Sequence, residues 1–388
     1  MIAPKLRFKA DDGNDFPELE AKSLFDICEY RNKQSVGKNY VGTENMKQNF
    51  SGLESLDEET EMKGVCYSKG DTLMSNIRPY LRKTWKADRE GVCSTDVLVF
   101  HPLDVASEYL HYLIASDKFI SYVMTGAKGV KMPRGDKEHM MKFSIMVPSL
   151  PEQQKIADFL STIDTIIEKQ QATVSAWEER KKGVMQKLFS QEVRFKADDG
   201  SDFPDWEEKR LGDICKTFSG GTPKSGEVRY YENGTISFIR SGEIHDEKTE
   251  LFITEEGLNE SSARMVYIGD ILYALYGATS GEVDISKING AINQAILCIR
   301  PVNNYEKKFL VEILRYKKEY ILRTYLQGGQ GNLSAKIIQN LHFDFPCADE
   351  QQKIADCLSA LDTVIEKQKE TLEKWQELKK GLLQQMFV

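Results

Sequence analysis

The chain has 388 residues, of which 40% are apolar and 29% charged, and its formal net charge is −8. This length favours two or three domains over a single core, and no apolar run reaches the roughly 18 residues that a membrane span needs. We therefore expect a protein without membrane segments. The acidic total argues mildly against a nucleic-acid partner, but residues 307–336 hold seven Lys/Arg and two Glu, a local net charge of +5.

The first residues lack the apolar stretch and small-residue cleavage site of a secretory signal, which favours a cytoplasmic protein. Seven cysteines are present, and none of them forms a CxxC pair. An odd number of cysteines without paired spacing is typical of reduced, buried thiols. We accordingly expect no disulfides and no structural metal.

The N-terminal block RFKADDGNDFPELE at residues 7–20 recurs as RFKADDGSDFPDWE at residues 194–207, identical at 11 of 14 positions. A second block, EQQKIADFLSTIDTIIEKQ from Glu152, recurs from Glu350 with 15 of 19 positions identical. Internal repetition of this kind predicts two copies of one structural unit. The order along the chain is module, long helix, module, long helix.

The first module, residues 1–150, mixes short apolar stretches with helical ones and is predicted to be α+β. Its polar loops carry amide, phenol and cationic side chains, the types that contact base edges and phosphates in DNA complexes. Each of them could instead belong to an ordinary surface turn. The candidate DNA contacts are Asn76, Arg78, Tyr80, Arg82, Lys83, Lys128, Lys131 and Arg134.

Residues 151–192 are predicted to form a long helix, because apolar residues recur every three or four positions in the pattern of a coiled-coil seam. Pro151 suits the first turn, and Glu152 lies at the positive end of the helix dipole. About 38 helical residues span roughly 57 Å. The alternative is a dimerisation coiled coil that has no spacing role.

The second module, residues 193–347, is predicted to be a second α+β domain. Its glycine-rich polar loops offer hydroxyl, amide and guanidinium groups as well as close backbone N–H donors. The candidate DNA contacts are Ser219, Gly220, Thr222, Lys224, Arg240, Ser241, Tyr273, Tyr276, Gln327, Gln330 and Asn332.

Residues 348–388 repeat the seam of the first long helix, and Gln170 and Gln368 fall on it in the two copies. Two such helices in one chain are expected to pair antiparallel, with one module at each end and an approximate twofold axis between them. The predicted fold is therefore α+β, with two globular domains related by an internal repeat, joined by two long antiparallel coiled-coil helices in a pseudo-twofold arrangement.

Sequence signatures of catalysis are missing. The chain has no GxxxxGK[ST] nucleotide loop, no HExxH, no GxSxG and no Asn-Pro-Pro-aromatic motif. The five histidines are scattered, and no acid/base pair stands out. We expect neither catalytic residues nor a metal site in this chain.

The chain resembles, over essentially its whole length, the specificity subunit of type I restriction-modification enzymes. The resemblance rests on the Gly-Asp strand signals followed by polar loops at 70–80 and 269–281, on the runs at 331–358 and 142–160, and on the tandem order of modules and helices. The first module lacks the glycine-asparagine and leucine-serine pairs of residues 331–334.

This resemblance implies that each module is a target-recognition domain that reads one half of a bipartite sequence in double-stranded DNA, and that the helices set the gap. It also implies two methyltransferase subunits docked on the helices, joined by ATP-driven restriction subunits. S-adenosylmethionine, ATP and Mg²⁺ would then belong to those partners, and this chain would be a non-catalytic subunit without cofactors.

Two other hypotheses compete with this interpretation. A coiled-coil adaptor whose two modules bind proteins or small ligands would have the same repeat, and its partner binding would be insensitive to salt. A nuclease or methyltransferase active by itself would need the catalytic motifs that the chain lacks.

Overall fold

The computed structural model describes residues 4–54, 56, 58–302, 305–326 and 332–387. The chain divides into two compact units. Unit 1 comprises the residues up to Ala172 together with those from Lys369 onward, and unit 2 runs from Thr173 to Gln368. Each unit thus contains one module, the first part of one long helix and the last part of the other. An antiparallel helix pair brings these two helix segments together.

Unit 1 is built on a four-stranded antiparallel sheet in the order β2-β8-β5-β6, beside a three-stranded sheet β3-β4-β7 and a two-stranded ribbon β1-β9. Its elements are β1 (Glu20–Ser23), α1 (Leu24–Ile27), β2 (Cys28–Arg31), β3 (Gln34–Gly37), β4 (Met62–Tyr67), β5 (Thr72–Ser75), β6 (Thr84–Lys86), β7 (Gly91–Cys93), β8 (Val97–Pro102), α2 (Ser107–Ile114), α3 (Asp117–Thr125), α4 (Lys137–Met141), β9 (Ser144–Val147) and the start of α5 (Leu150–Phe189).

Unit 2 has the same plan, with the four-stranded sheet β11-β18-β15-β16, the ribbon β10-β19 and a sheet β13-β12-β17-β14 in which β12 and β17 are parallel. Its elements are β10 (Glu207–Arg210), α6 (Leu211–Ile214), β11 (Cys215–Ser219), β12 (Ile236–Ile239), β13 (Phe252–Ile253), α7 (Glu255–Asn259), β14 (Arg264–Val266), β15 (Ile271–Ala274), β16 (Val283–Ile285), β17 (Gly290–Ile292), β18 (Ile296–Pro301), α8 (Lys307–Leu326), α9 (Ala335–Gln339), β19 (His342–Phe345) and the start of α10 (Ala348–Met386). The predicted α+β fold with two repeated domains and two long helices is confirmed.

The main core of each unit combines its module with both helix segments. In unit 1, Tyr109 of α2 packs against Phe387, which follows α10, with ring centroids 5.3 Å apart. In unit 2, Phe309 of α8 packs against Phe189 at the end of α5, at 5.7 Å. Because the apolar stripe of each long helix is buried against a module, packing and not helix propensity alone supports these helices.

A buried glutamate at the start of each long helix ties the two repeated sequence blocks together. Glu152 is about 1% exposed and accepts hydrogen bonds from Arg7, with Nε–Oε1 3.0 Å and Nη2–Oε2 2.5 Å. Glu350 is fully buried and accepts the same pair from Arg194, at 3.1 and 2.7 Å, and a third bond from Trp206 Nε1 at 3.1 Å. We call each of these arrangements the helix-start latch.

The next residue of each repeated block holds the loop that precedes the helix. Gln153 Oε1 accepts from the Ala106 N–H at 2.9 Å, and its Nε2 donates to the Pro148 carbonyl at 2.8 Å. Gln351 makes the equivalent bonds, with the Glu306 N–H at 3.1 Å and the Pro346 carbonyl at 2.8 Å. The near-identity of the two blocks therefore has an architectural cause, since buried polar groups need these specific partners.

Ion pairs join the two long-helix segments inside each unit. In unit 1, Lys379 Nζ lies 2.5 Å from Asp164, whose other oxygen accepts from the Tyr112 hydroxyl at 2.7 Å. In unit 2, Lys181, with 11% of its side chain exposed, lies 2.7 Å from Asp362 and 2.9 Å from Glu312 of α8.

Among the residues that the structure describes, no helix combines the length and apolar composition needed to cross a membrane.

Replacing Arg194 with Met is expected to destabilise unit 2 by about 3 kcal/mol or more, because a buried carboxylate left without its cation is costly. The matched control is Lys196→Met, whose ion pair with Asp202 is solvent-exposed, with side chains 63% and 83% accessible. It should cost less than about 1 kcal/mol. Hydrogen exchange in increasing urea would follow each unit separately, and an equal effect of both substitutions would contradict the role of the latch.

Candidate nucleic-acid interface

Loops of unit 2 converge at the ends of the parallel strands β12 and β17. The strand register pairs Ile239 with Ile292, so the residues that follow, Arg240 and Asn293, leave the sheet side by side. The Gly220 N–H donates to the Asn293 carbonyl at 3.2 Å. This edge of the sheet therefore brings together the segments around Gly220 and Arg240, which were separately predicted to contact DNA.

The turn between β17 and β18, residues 293–295, also anchors the loops on its other side. Thr222 Oγ1 donates to Gln294 Oε1 at 2.7 Å, and the Leu275 N–H donates to the Ala295 carbonyl at 2.8 Å. The Leu333 N–H in turn donates to the Leu275 carbonyl at 3.0 Å. We call this set the unit 2 loop cluster; it consists of residues 219–224, 240–242, 275–281, 293–295 and 332–333.

Unit 1 has a corresponding cluster around the turn between β7 and β8. The Asn76 N–H donates to the Asp96 carbonyl at 2.8 Å, as Leu275 does to Ala295 in unit 2. The Arg78 N–H donates to the Pro133 carbonyl at 2.8 Å, and Ile77 forms a β-bridge with Arg134. The unit 1 loop cluster therefore consists of residues 76–83, 94–96 and 128–134, and it joins the two segments of the first module that carry the candidates.

Tight backbone geometry fixes these loops. A Cβ atom on Gly220 would lie 1.8 Å from the Ile292 carbonyl oxygen, so only glycine allows this approach. Arg78 and Arg82 adopt left-handed backbone conformations with φ of 51° and 54°, which cost about 1 kcal/mol or more each for residues with a side chain. Both are held by backbone hydrogen bonds, from Arg78 to Pro133 and from Arg82 to Pro79.

The candidate residues differ widely in accessibility. The exposed ones are Arg78, Tyr80, Lys128, Lys131, Arg134, Thr222, Lys224, Arg240 and Asn332. The half-buried ones are Arg82, Lys83, Ser219, Gly220, Ser241 and Tyr276. Gln327 and Gln330 lie outside the described residues.

Two candidates are buried, and their selection as DNA contacts is corrected. Tyr273 lies in the central strand β15, has no exposed surface and packs in the core of unit 2, where burial raises the pKa of its hydroxyl. Both faces of this strand are covered, so its side chain cannot reach DNA. Asn76 is 7% exposed and supports its loop through its backbone N–H.

Many of the candidate cations are held by partners within their own unit. Lys128 pairs with Asp136 at 2.7 Å, Arg134 with Asp96 at 3.2 Å and Arg82 with Asp117 at 2.6 Å. Lys83 Nζ donates to the Thr43 carbonyl at 2.8 Å. In contrast, Arg78, Lys131 and Lys224 form no ion pair with any residue that the structure describes.

Arg240 is held by two carboxylates of unit 2. Its guanidinium lies 2.8 Å from Glu243 and 2.8 Å from Glu250, and its backbone N–H donates to Glu243 at 2.9 Å. Although burial raises the pKa of Glu243, the hydrogen bonds from Arg240 and from the Glu250 N–H and Thr249 hydroxyl hold it at about 2. The carboxylate is therefore ionised at neutral pH and fixes the position of Arg240.

The turn that organises each cluster was not among the residues predicted from the sequence to contact DNA. Asn293 and Gln294 stand between two buried strands, and Gln294 is exposed beside Thr222. Amide side chains pair bidentately with adenine, which makes Gln294 a further candidate. The available signal was a short polar pair, Asn-Gln, inside the otherwise apolar run AINQAIL.

Three cations of the basic stretch 307–336 have structural contacts, all of them in α8. Lys307 donates to the Gly269 carbonyl at 2.7 Å, Arg315 pairs with Asp284 at 3.0 Å, and Lys318 pairs with Glu282. Carboxylates of β16 and its neighbour thus pair with Arg315 and Lys318 only. Among the described residues, no ion pair is formed by the other cations Lys308, Lys317, Arg323 and Lys336. Within the described ranges, no group of three or more His, Cys, Asp or Glu could hold a metal ion.

Comparison with known families gives two matches along the chain. The model of the type I restriction modification DNA specificity domain matches residues 17–175 and again residues 204–374. Each match covers one module and about the first 25 residues of the following long helix, in agreement with the internal repeat.

Individual relatives extend over most of the chain. The specificity subunit of the type I restriction enzyme MjaVIII of Methanocaldococcus jannaschii is 27% identical over 307 residues, 74% of this chain and 72% of the relative. The putative MjaX specificity subunit of the same organism is 27% identical over 410 aligned positions, 95% and 93% of the two chains. The crystal structure of the type I S subunit from M. genitalium shares the fold with a TM-score of 0.59, 15% identity and coverage of 100% and 99%.

Replacing Glu243 with Gln is expected to destabilise unit 2 by about 2 kcal/mol at pH 7, because a nearly buried carboxylate with several donors is lost. The pKa of Glu243 is lowered to about 2 in the folded protein, against about 4.3 when unfolded. The stabilisation is therefore complete above about pH 4.3 and is lost as the pH falls towards 2.

The unfolding free energy of unit 2, measured at pH 7 and pH 3, tests this expectation. The difference between wild type and Glu243→Gln should be smaller at pH 3. Glu250→Gln is the matched control, because the same arginine binds this carboxylate while 86% of its side chain is exposed; it should cost less than about 1 kcal/mol. An equal loss at both pH values for Glu243→Gln would disprove the assignment.

Proposed function

Because the chain belongs to the family of type I restriction modification DNA specificity domains, we propose that it selects the DNA target of a type I restriction-modification complex, with each unit reading one half of a bipartite sequence. In this proposal the chain binds DNA and carries out no chemical step. Methylation and ATP-dependent cleavage then belong to partner subunits, which also hold S-adenosylmethionine, ATP and Mg²⁺.

One observation carries the proposal of two separate half-sites: the same scaffold presents two loop clusters of different chemistry. The unit 1 loop cluster exposes cations, with Arg78, Lys131 and Arg134 on its surface. The unit 2 loop cluster also exposes the cations Lys224 and Arg240, but it adds the exposed hydroxyl of Thr222 and the exposed amide of Gln294. Guanidinium groups favour guanine, whereas amides favour adenine, so these clusters suit different base sequences.

The long helices supply the surface that we propose for the partners. Their first five turns share a stripe of positions that are exposed, apart from the half-buried Ser359, and that are identical in the two copies although exposed positions impose little packing constraint. It consists of Gln154, Asp158, Ser161, Thr165, Glu168 and Lys169 in α5, and of Gln352, Asp356, Ser359, Thr363, Glu366 and Lys367 in α10. We call this set the shared stripe.

Several exposed positions outside the stripe differ between the copies, both beside it, where Thr162 corresponds to Ala360, and farther along the helices. Ala172 corresponds to Glu370, and Ser175 corresponds to Glu373. The identity of the shared stripe is therefore not a general property of these helices. Two identical surfaces in one chain suit two copies of one partner, and we assign them to two methyltransferase subunits, which the restriction subunits join.

The experiment that tests the function is methylation of a random DNA library by this chain together with its methyltransferase subunit, followed by single-molecule sequencing. A modified motif of two short halves around a fixed unspecified gap is expected, because each loop cluster reads one half. A folded, assembled complex that modifies no sequence, or a partner affinity that is independent of salt, would favour the adaptor hypothesis instead.

Substitution of a large cation into the shared stripe tests the partner assignment. Thr165→Arg alone, or Thr363→Arg alone, should leave one methyltransferase subunit bound per chain, and the double variant should leave none, because each stripe docks one copy. The control is Ser175→Arg, an exposed position of α5 outside the stripe, which should bind two. Native mass spectrometry counts the subunits, and an unchanged stoichiometry in the double variant would refute the assignment.

A further inference from the structure

The unit 1 loop cluster ends in an apolar tip. The Val130 side chain is 100% exposed, and Met132 is 49% exposed, within the segment Lys128 to Arg134. Neither residue contributes to the core clusters of unit 1. Packing within the unit therefore does not explain why these positions are apolar.

This tip stands on a fixed base. The backbones of Lys128 and Arg134 exchange two hydrogen bonds, N to O, of 2.8 and 2.9 Å. Gly129 takes the left-handed conformation that starts the turn, with φ of 99°. Pro133 is buried and accepts the bond from the Arg78 N–H. The loop is thus closed at its base and tied to the neighbouring loop, so its tip is presented in one place.

Cations surround the apolar tip. Lys128 and Arg134 lie at its base, each paired with a carboxylate, Asp136 and Asp96 respectively. Lys131 stands between Val130 and Met132 in the chain and has no ion pair among the described residues. An apolar tip with an adjacent unpaired cation suits a ligand that offers both negative charge and apolar surface.

We propose that Val130 and Met132 contact the bases of the half-site read by unit 1, while Lys131 binds a neighbouring phosphate. This inference rests on the proposed function and adds to it two specificity-determining residues. Apolar side chains cannot bind phosphate, and in DNA their partners are thymine methyl groups and the faces of partly unstacked bases. The candidate segment of unit 2, residues 327–332, reads QGGQGN and has no apolar counterpart.

The test uses the complete complex with its methyltransferase subunit and compares three variants with wild type. Val130→Ser/Met132→Ser removes the apolar tip, and Lys131→Ala removes the cation. Ile268→Ser is the control, because Ile268 is 64% exposed on unit 2 outside its loop cluster. All four substituted positions are exposed, so the melting temperatures should match that of wild type.

For the double variant, affinity for DNA carrying the wild-type motif should fall about tenfold, with no change in the slope of log K against log salt, because no phosphate contact is lost. Its methylation motif should become degenerate at positions of one half only. Lys131→Ala should instead lower the salt slope by about one and keep the motif. Ile268→Ser should resemble wild type in both measurements.

The outcomes separate this inference from the function on which it rests. If wild type methylates a split motif and the double variant has the same motif and affinity, the apolar tip does not contact bases and the inference is overturned. Weaker binding of the methyltransferase subunit with an unchanged motif would also overturn it, by assigning the tip to a protein contact. If wild type selects no motif, the proposed function fails, and the inference fails with it.

Discussion

The fold of each unit depends on a carboxylate buried at the start of a long helix. Glu152 and Glu350 are at most 1% exposed, and a carboxylate in that position is tolerated only with a cation and further donors. Arg7 and Arg194 supply the cation, and each arrives from a repeated block about 150 residues earlier in the chain. Because the buried carboxylate needs this cation, the helix-start latch holds the module against its long helix.

The repeated blocks and the seam predict the architecture of the chain, but they do not predict the buried pair at the start of each long helix. The near-identity of the blocks around Arg7 and Glu152 indicated two copies of one unit, and the seam period indicated the long helices. The pairing of Arg7 with Glu152 was not predictable, because nothing in the local pattern distinguishes a buried glutamate from an exposed one near a helix N-terminus. The division of each long helix between two compact units agrees with the antiparallel pairing expected from the repeated seam, whereas the ion pairs of Lys181 and Lys379 that join the helix segments were not predictable.

The candidate interface was predictable as loops but not as individual side chains. Residues 76–83 and 128–134 were nominated separately by composition, and the bond from Arg78 to Pro133 joins them in one cluster. Tyr273 was chosen for its hydroxyl, but a tyrosine in a central strand is positioned by its ring and not by its polar end. Gln294 was missed, because a polar pair between two buried strands carries neither the glycines nor the cations by which loops were recognised.

The acidic total of the chain is compatible with DNA as a ligand once the cations of the unit 1 loop cluster are considered with their partners. Arg134, Lys128 and Arg82 are held by carboxylates, whereas Arg78 and Lys131 remain available to phosphates. A loop cluster with so few unpaired cations gains little sequence-independent affinity, which limits binding to wrong sites. Two weakly binding units in one chain still bind tightly to a DNA that carries both halves, because the second contact is intramolecular. The small number of unpaired cations in the loop clusters and the presence of two units in one chain thus act together. They favour binding to a DNA that carries both half-sites over binding to either half-site alone.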